Sequence, residues 1–147
     1  MKKSVIFLAA FICMMMQSVS ASASDRMIPA ERIPAPARAF IQKTFPNQTI
    51  AFAQLDYDFF RKTYEVHLIN GVKMDFDSKG TWDKVDCKFS AVPANLVPVA
   101  LANHVKMNFK GAQIVKIDKK RYGFKVELSN GLELKFNKQG GLIAIDD

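Results

Sequence analysis

Apolar and polar residues alternate strictly in four short stretches of this chain. Tyr64, Val66 and Leu68 point one way, Glu65 and His67 the other. Met74 and Phe76 oppose Lys73 and Asp75. Phe124, Val126 and Leu128 oppose Lys125 and Glu127. Leu134 and Phe136 oppose Glu133 and Lys135. A period of two, with one apolar and one charged face, is the mark of an antiparallel sheet wetted on one side. Asn70-Gly71 and Asn130-Gly131 divide the stretches into two pairs, so each pair predicts a hairpin.

The two hairpins are copies of one another. Tyr64–Trp82 returns as Phe124–Leu142 at a constant offset of 60, with Phe76 on Phe136 and Gly80 on Gly140. A helical period precedes each. Ala37, Phe40, Ile41, Thr44 and Phe45 recur as one buried face, opened by Pro34 and Pro36 and stopped by Pro46-Asn47. Val97, Leu101, Val105 and Phe109 recur likewise, stopped by Lys110-Gly111. Pro98 matches Pro34 and Phe109 matches Phe45 at an offset of 64. Further strands are expected at Thr49–Phe60, with an irregularity near Gln54, and at Thr81–Phe89, Gln113–Asp118 and Gly141–Ile145. Arg61-Lys62 is expected to turn the chain, and Ser24–Ile33 to be a loose arm. The fold class is therefore α+β. Two tandem helix-plus-four-strand repeats, about 33–89 and 92–147, form an antiparallel sheet with both helices on its apolar face.

Burial decides the turn type. A two-residue Asn-Gly loop would pair Leu68 with Lys73 and Val66 with Asp75, mixing core and solvent faces. A three-residue loop, Ile69-Asn70-Gly71, opposes Leu68 to Val72, Val66 to Met74 and Tyr64 to Phe76. Gly71 then takes a left-handed conformation beside a bulge. The second copy follows, with Leu128 opposite Leu132 and Gly131 left-handed. Trp82 is out of parity with the residues that follow it: either a bulge restores it to the core, or it sits on the open face as a binding anchor, and the same conflict at Leu142 favours the bulge.

The chain's 147 residues suffice for one domain with a sizeable core. Lys2 and Lys3, the apolar run Val5–Met16 and Ala21-Ser22-Ala23 form a signal-peptide pattern, with cleavage after Ala23 or Ala21. That run is too short for a membrane span, so residues 24–147 are expected in the periplasm or outside the cell. Cys13 follows Ile12, a poor lipobox. Removal of residues 1–23 takes two lysines and no acid, lowering the net charge from +7 to +5. It leaves Cys87 alone, without a disulfide partner and of core parity.

Catalytic chemistry finds little support. His67 lies on the charged sheet face and His104 on a helix, and no Cys/His group has metal-ligand spacing. No base is placed to activate Cys87. Asp56/Asp58 and Asp146-Asp147 read as solvated acids. No phosphate loop or nucleophile elbow occurs, so no catalytic residue, metal or cofactor is expected. Lys116, Lys119, Lys120 and Arg121 form a basic turn. Export and mixed strand charges speak against nucleic acid and for an acidic partner or surface.

The repeated unit resembles the PepSY-like, beta-lactamase-inhibitor-like family. Tyr64-Glu65-Val66, Asn70-Gly71 and Phe76-Asp77 carry the resemblance in the first copy. Val126–Glu133, Leu134, Phe136 and Ile145-Asp146-Asp147 carry it in the second. It implies an exported, non-catalytic protein that grips a protein or peptide, as an inhibitor grips an enzyme, with the open face of its sheet. That face would present Glu65, His67, Lys73, Asp75, Lys125, Glu127, Glu133 and Lys135. Tyr57, Phe60 and Trp82 would be possible aromatic anchors. An envelope module binding a small ligand or the cell surface is the alternative.

Overall fold

The computed structural model describes residues 26–147; the signal-peptide expectation and Cys13 lie outside them. Among the described residues nine strands form one antiparallel sheet, and they lie side by side in chain order. β1 (Arg26–Ile28) is followed by a 3-10 turn at Ala30–Arg32 and by α1 (Ala35–Thr44). Next come β2 (Ile50–Asp58), β3 (Arg61–Leu68), β4 (Lys73–Phe76) and β5 (Trp82–Asp86). A second 3-10 turn at Ala94–Leu96 leads into α2 (Val99–Asn108). β6 (Ile114–Lys120), β7 (Gly123–Leu128), β8 (Glu133–Asn137) and β9 (Leu142–Asp146) complete the chain. Among the described residues no helix is long and apolar enough to cross a membrane.

Each helix starts directly after a proline, Pro34 or Pro98, where a missing N–H costs nothing. Each ends where Phe45 or Phe109 leaves helical geometry while still donating to the Ile41 or Val105 carbonyl. Ala37 and Ile41 of α1, and Leu101 and Val105 of α2, join the core beneath the sheet. Phe40 meets Phe76 edge-on at 5.7 Å between ring centroids, and His104 meets Phe136 the same way at 5.3 Å. Val66, Met74, Phe76, Val85, Ile117, Leu134 and Phe136 are almost completely buried. At about 1.5–3 kcal/mol for each such side chain, this layer is the main stabilising term.

The hairpin register follows burial. Val66 pairs with Met74 and Tyr64 with Phe76, while Val126 pairs with Leu134 and Phe124 with Phe136. Leu68 N–H donates to the Val72 carbonyl and Gly71 N–H to the Leu68 carbonyl, at 2.8 and 3.0 Å. Gly71 and Gly131 have φ of 91° and 90°. Asn70 and Asn130 each accept from the backbone N–H two residues on. The bulges are present as well. Phe76 pairs with Trp82 while Asp75 pairs with Lys84, so Asp83 is the extra residue. Ile143 is extra in the same way between Leu142 and Ala144.

Four expectations are corrected. The arm at 24–33 is not loose where it is described: β1 pairs with β2, and Ile33 is buried. Arg61-Lys62 is strand, and the turn is Phe59-Phe60, because Asp58 pairs with Arg61 and the Asp58 carboxylate accepts the Phe59 N–H. The β2 irregularity falls between Ile50 and Phe52 rather than at Gln54. β5 stops at Asp86, because Lys88 is left-handed with φ 60° and its N–H is held by the Asp86 carboxylate. Alternation ends there, so Cys87 is buried while Phe89 is fully exposed.

Candidate functional site

Pairing carries polar side chains across the open face in two rows. In one row Gln54, Glu65, Asp75 and Lys84 lie on β2 to β5, continued by Asp118, Lys125, Lys135 and Ala144 on β6 to β9. The other row runs Phe52, His67, Lys73, Asp86, then Lys116, Glu127, Glu133, Asp146. All eight face residues named from the sequence are therefore on this surface. They form two groups of four, on β3–β4 and on β7–β8. Between them lie Lys84, Asp86, Lys116 and Asp118, which join the groups into one surface. Sequence reasoning left these out, although Lys84 and Asp86 flank Val85, and Lys116 and Asp118 flank Ile117, with the same period of two.

Directly opposed residues in the rows often carry like charge, as with Glu65 and Asp75, Lys125 and Lys135, and Glu127 and Glu133. Ion pairs offset this repulsion, diagonally for Glu65–Lys73, Lys125–Glu133 and Lys135–Asp146, directly across for Asp75–Lys84 and along one strand for Glu65–His67. Glu65 meets Lys73 at 2.8 Å and His67 at 2.6 Å. Asp75 meets Lys84 at 2.9 Å, Glu133 meets Lys125 at 3.1 Å, and Asp146 meets Lys135 at 2.6 Å. Asp118 is buried, with Lys120 and Lys125 each at 4.0 Å. His67 is stacked on Phe52, with ring centroids 4.1 Å apart. The rows hold five lysines against seven carboxylates. The chain's excess of positive charge therefore lies elsewhere.

Several ionisations are shifted. Burial opposes the Glu65 carboxylate, yet the hydrogen bonds from Lys73 and His67 hold its carboxyl below the ordinary range. Burial also opposes the Lys84 ammonium, but Asp75 raises it above its usual value. Lys135 is raised by its bond to Asp146. Asp75 keeps one buried oxygen, Oδ1, without a hydrogen-bond partner. Cys87 contributes no reactive thiol: burial pushes it up to about 11. Among the described residues no group of three or more His, Cys, Asp or Glu side chains is arranged to hold a metal ion.

The three aromatic candidates are not equivalent. Phe60 is fully exposed beside Phe59 at the tip of the β2–β3 hairpin, and Tyr57 is half exposed near it. Trp82 is partly buried, with Phe40 stacked against it and the Lys119 ammonium 3.7 Å from its ring centroid. Burial lowers Lys119 below its usual value. Lys119, Lys120 and Arg121 share a surface depression with Arg61, which is ion-paired to Asp83. A separate apolar groove lies between α2 and the segment before it, lined by Val92, Val97, Val105 and Phe109.

A family model described as "Putative beta-lactamase-inhibitor-like, PepSY-like" matches residues 62–144. Solved structures match nearly the whole described chain. A "putative periplasmic protein of unknown function" from Bacteroides vulgatus is 34% identical, with a TM-score of 0.81 over 84% of this chain and 100% of that one. A second putative periplasmic protein from that organism is 40% identical, with a TM-score of 0.80 over 86% of this chain and 99% of that one. A "putative calcium-regulated periplasmic protein" from Bacteroides thetaiotaomicron is 39% identical, with a TM-score of 0.79 over 84% and 97%. No curated protein is similar to the chain.

Proposed function

The chain belongs to the PepSY-like, beta-lactamase-inhibitor-like family, and from that premise we propose that it is an exported, non-catalytic binding protein acting through the open face of its sheet. In this reading residues 1–23 are removed after Ala23 or Ala21. The rest is one domain of two tandem helix-plus-four-strand copies, about 33–89 and 92–147. The periplasmic description of its solved relatives supports that compartment. The observation that carries the proposal is the pair of polar rows on a face no other element of the described chain covers. Ion pairs already fix those side chains, so a partner would order few of them on binding. The family's inhibitor-like description makes a protein the preferred partner, with an enzyme as the class that description names.

Capture from the extracytoplasmic fraction tests this, comparing the native chain with a Lys73→Glu/Lys135→Glu variant. A protein retained by the first and lost by the second is expected. Equal retention on both would move the site away from the face, most directly to the Tyr57–Phe60 tip.

The relative described as calcium-regulated favours one second reading, a small-ligand module responding to a cation. The described residues hold no ready-made carboxylate cluster, so the cation would have to draw together Glu127, Glu133 and Asp146 from the neighbouring strands β7, β8 and β9. Thermal melts in about 1 mM calcium, the range of weak extracellular sites, and in chelator separate the two readings. A clear rise in melting temperature supports the cation reading, and superimposable curves remove it.

A further inference from the structure

Among the described residues β9 pairs on one side only. Its apolar side chains remain open, with Ile143 55% and Ile145 50% exposed. β5 is built the same way. Phe76 with Trp82 and a bulged Asp83 corresponds to Phe136 with Leu142 and a bulged Ile143, so Val85 corresponds to Ile145. Val85 is fully buried, because β6 runs along its outer edge: Val85 faces Ile117, and Lys84 faces Asp118. Among the described residues β9 is a β5 without its β6.

Sheet edges are normally blunted by shortness, lysine, proline or a covering element. Leu142–Asp146 has neither lysine nor proline, and its one charged side chain is held by Lys135. The opposite edge is guarded, since the three residues of β1 lie along β2. β2 and β6 correspond as well. Each follows a helix, and each has a register break at the same place, Ile50/Phe52 and Ile114/Lys116. Ala53 thus corresponds to Ile117. Ile28 faces Ala53 as Val85 faces Ile117. β1 fills on β2 the seat that β5 fills on β6.

We propose that β9 of one copy takes this seat on β2 of a second copy, with β1 folding back, so that chains join head to tail through a continuous sheet. The β5–β6 register transfers directly: Ala144 faces Gln54, Ile145 faces Ala53, and Asp146 faces Phe52. No like charges oppose one another, and Ile145 gains the burial that Val85 has. The displaced β1 also has a place to go. Val92, the counterpart of Ile28, donates its N–H to the Ile114 carbonyl instead of pairing along β6. The contact is heterologous and does not close at two copies. Because β1 competes from within its own chain, assembly grows with protein concentration.

Cysteine pairing tests this on the chain purified after export. Gln54→Cys and Ala144→Cys are made in separate chains, and circular dichroism checks that each folds. The two are mixed under mild oxidation at rising concentration. Cys87 is buried and its thiol is pushed up to about 11, so it competes poorly. The expected result is a mixed disulfide dimer that exceeds either self-linked product and is lost when Ile145→Asp is added to the second chain. Predominant self-linking of Ala144→Cys would mean that β9 pairs with β9, and would overturn the proposal. So would monomer at every concentration.

Discussion

At the scale of single residues, two glycines with similar backbone angles have different roles. Gly71 has φ 91° with nothing near a would-be Cβ. Gly80 has φ 85°, and a Cβ there would sit 2.9 Å from the Ala37 backbone nitrogen and 3.0 Å from the Pro34 Cβ. Gly71→Ala therefore meets only left-handed strain of about 1–2 kcal/mol. Gly80→Ala also pushes α1 off the sheet, and is expected to cost more in urea unfolding. Equal losses would mean that the β4–β5 turn does not hold α1 in place. Cys87 gives a pH prediction. Its thiol is raised from 9.0 to about 11 in the fold, because burial disfavours the thiolate. The native state then holds that proton longer than the unfolded chain does. Stability from this group is complete below about pH 9 and falls as pH rises through 11. Denaturant midpoints measured from pH 8 to 11 should decline, and less so in Cys87→Ala, once that variant's own loss is subtracted. Cys87 burial was readable from parity, but the exposure of Phe89 was not. A left-handed lysine held by a neighbouring aspartate leaves no hydrophobic pattern to read.

At the scale of elements, His104 occupies the place in α2 that Phe40 occupies in α1, edge-on to a core phenylalanine. His104→Phe should raise the melting temperature, since an apolar ring of similar shape replaces a half-buried imidazole at a gain of about 0.5–1.5 kcal/mol. A fall would show that the imidazole makes a polar contact worth more than the packing. The interior hairpins were legible because burial constrains both faces, so register and loop length had one solution. That reasoning also placed the bulges at Trp82 and Leu142. It failed at the margins of the sheet. β1 has three residues, mostly exposed, and no periodicity to detect. The Phe59-Phe60 turn uses aromatic side chains where turn-forming residues were expected, and only the Asp58 carboxylate holding the Phe59 N–H marks it. The open face was legible as two patches. One antiparallel sheet was expected and is found, but Lys84, Asp86, Lys116 and Asp118, which join the patches, were not picked out, because their place depends on β5 pairing with β6.

At the scale of the whole molecule, the open face is a lattice of ion pairs that nearly cancel, while the excess positive charge sits on helices, turns and the depression of Arg61, Lys119, Lys120 and Arg121. Glu65 should make stability sensitive to acid. Its carboxyl is held below the ordinary 4.5, so its contribution is present above that pH and is lost as pH falls through the lower folded value. Lys73→Met should move that loss toward higher pH in an acid titration of folding, and an unchanged titration would remove the Glu65–Lys73 bond from the account. Lys73→Glu with Lys135→Glu should shift the melting temperature by only a few degrees, because partly exposed pairs are worth about 0–1 kcal/mol each. The central claim is that this face meets the partner. Carboxyl footprinting by mass spectrometry, with and without the captured partner, tests it most directly. The account predicts that Glu65, Glu127 and Glu133 lose reactivity in the complex while Asp56 and Asp58 near the hairpin tip keep theirs. Protection of Asp56 and Asp58, with the three glutamates unchanged, would contradict it.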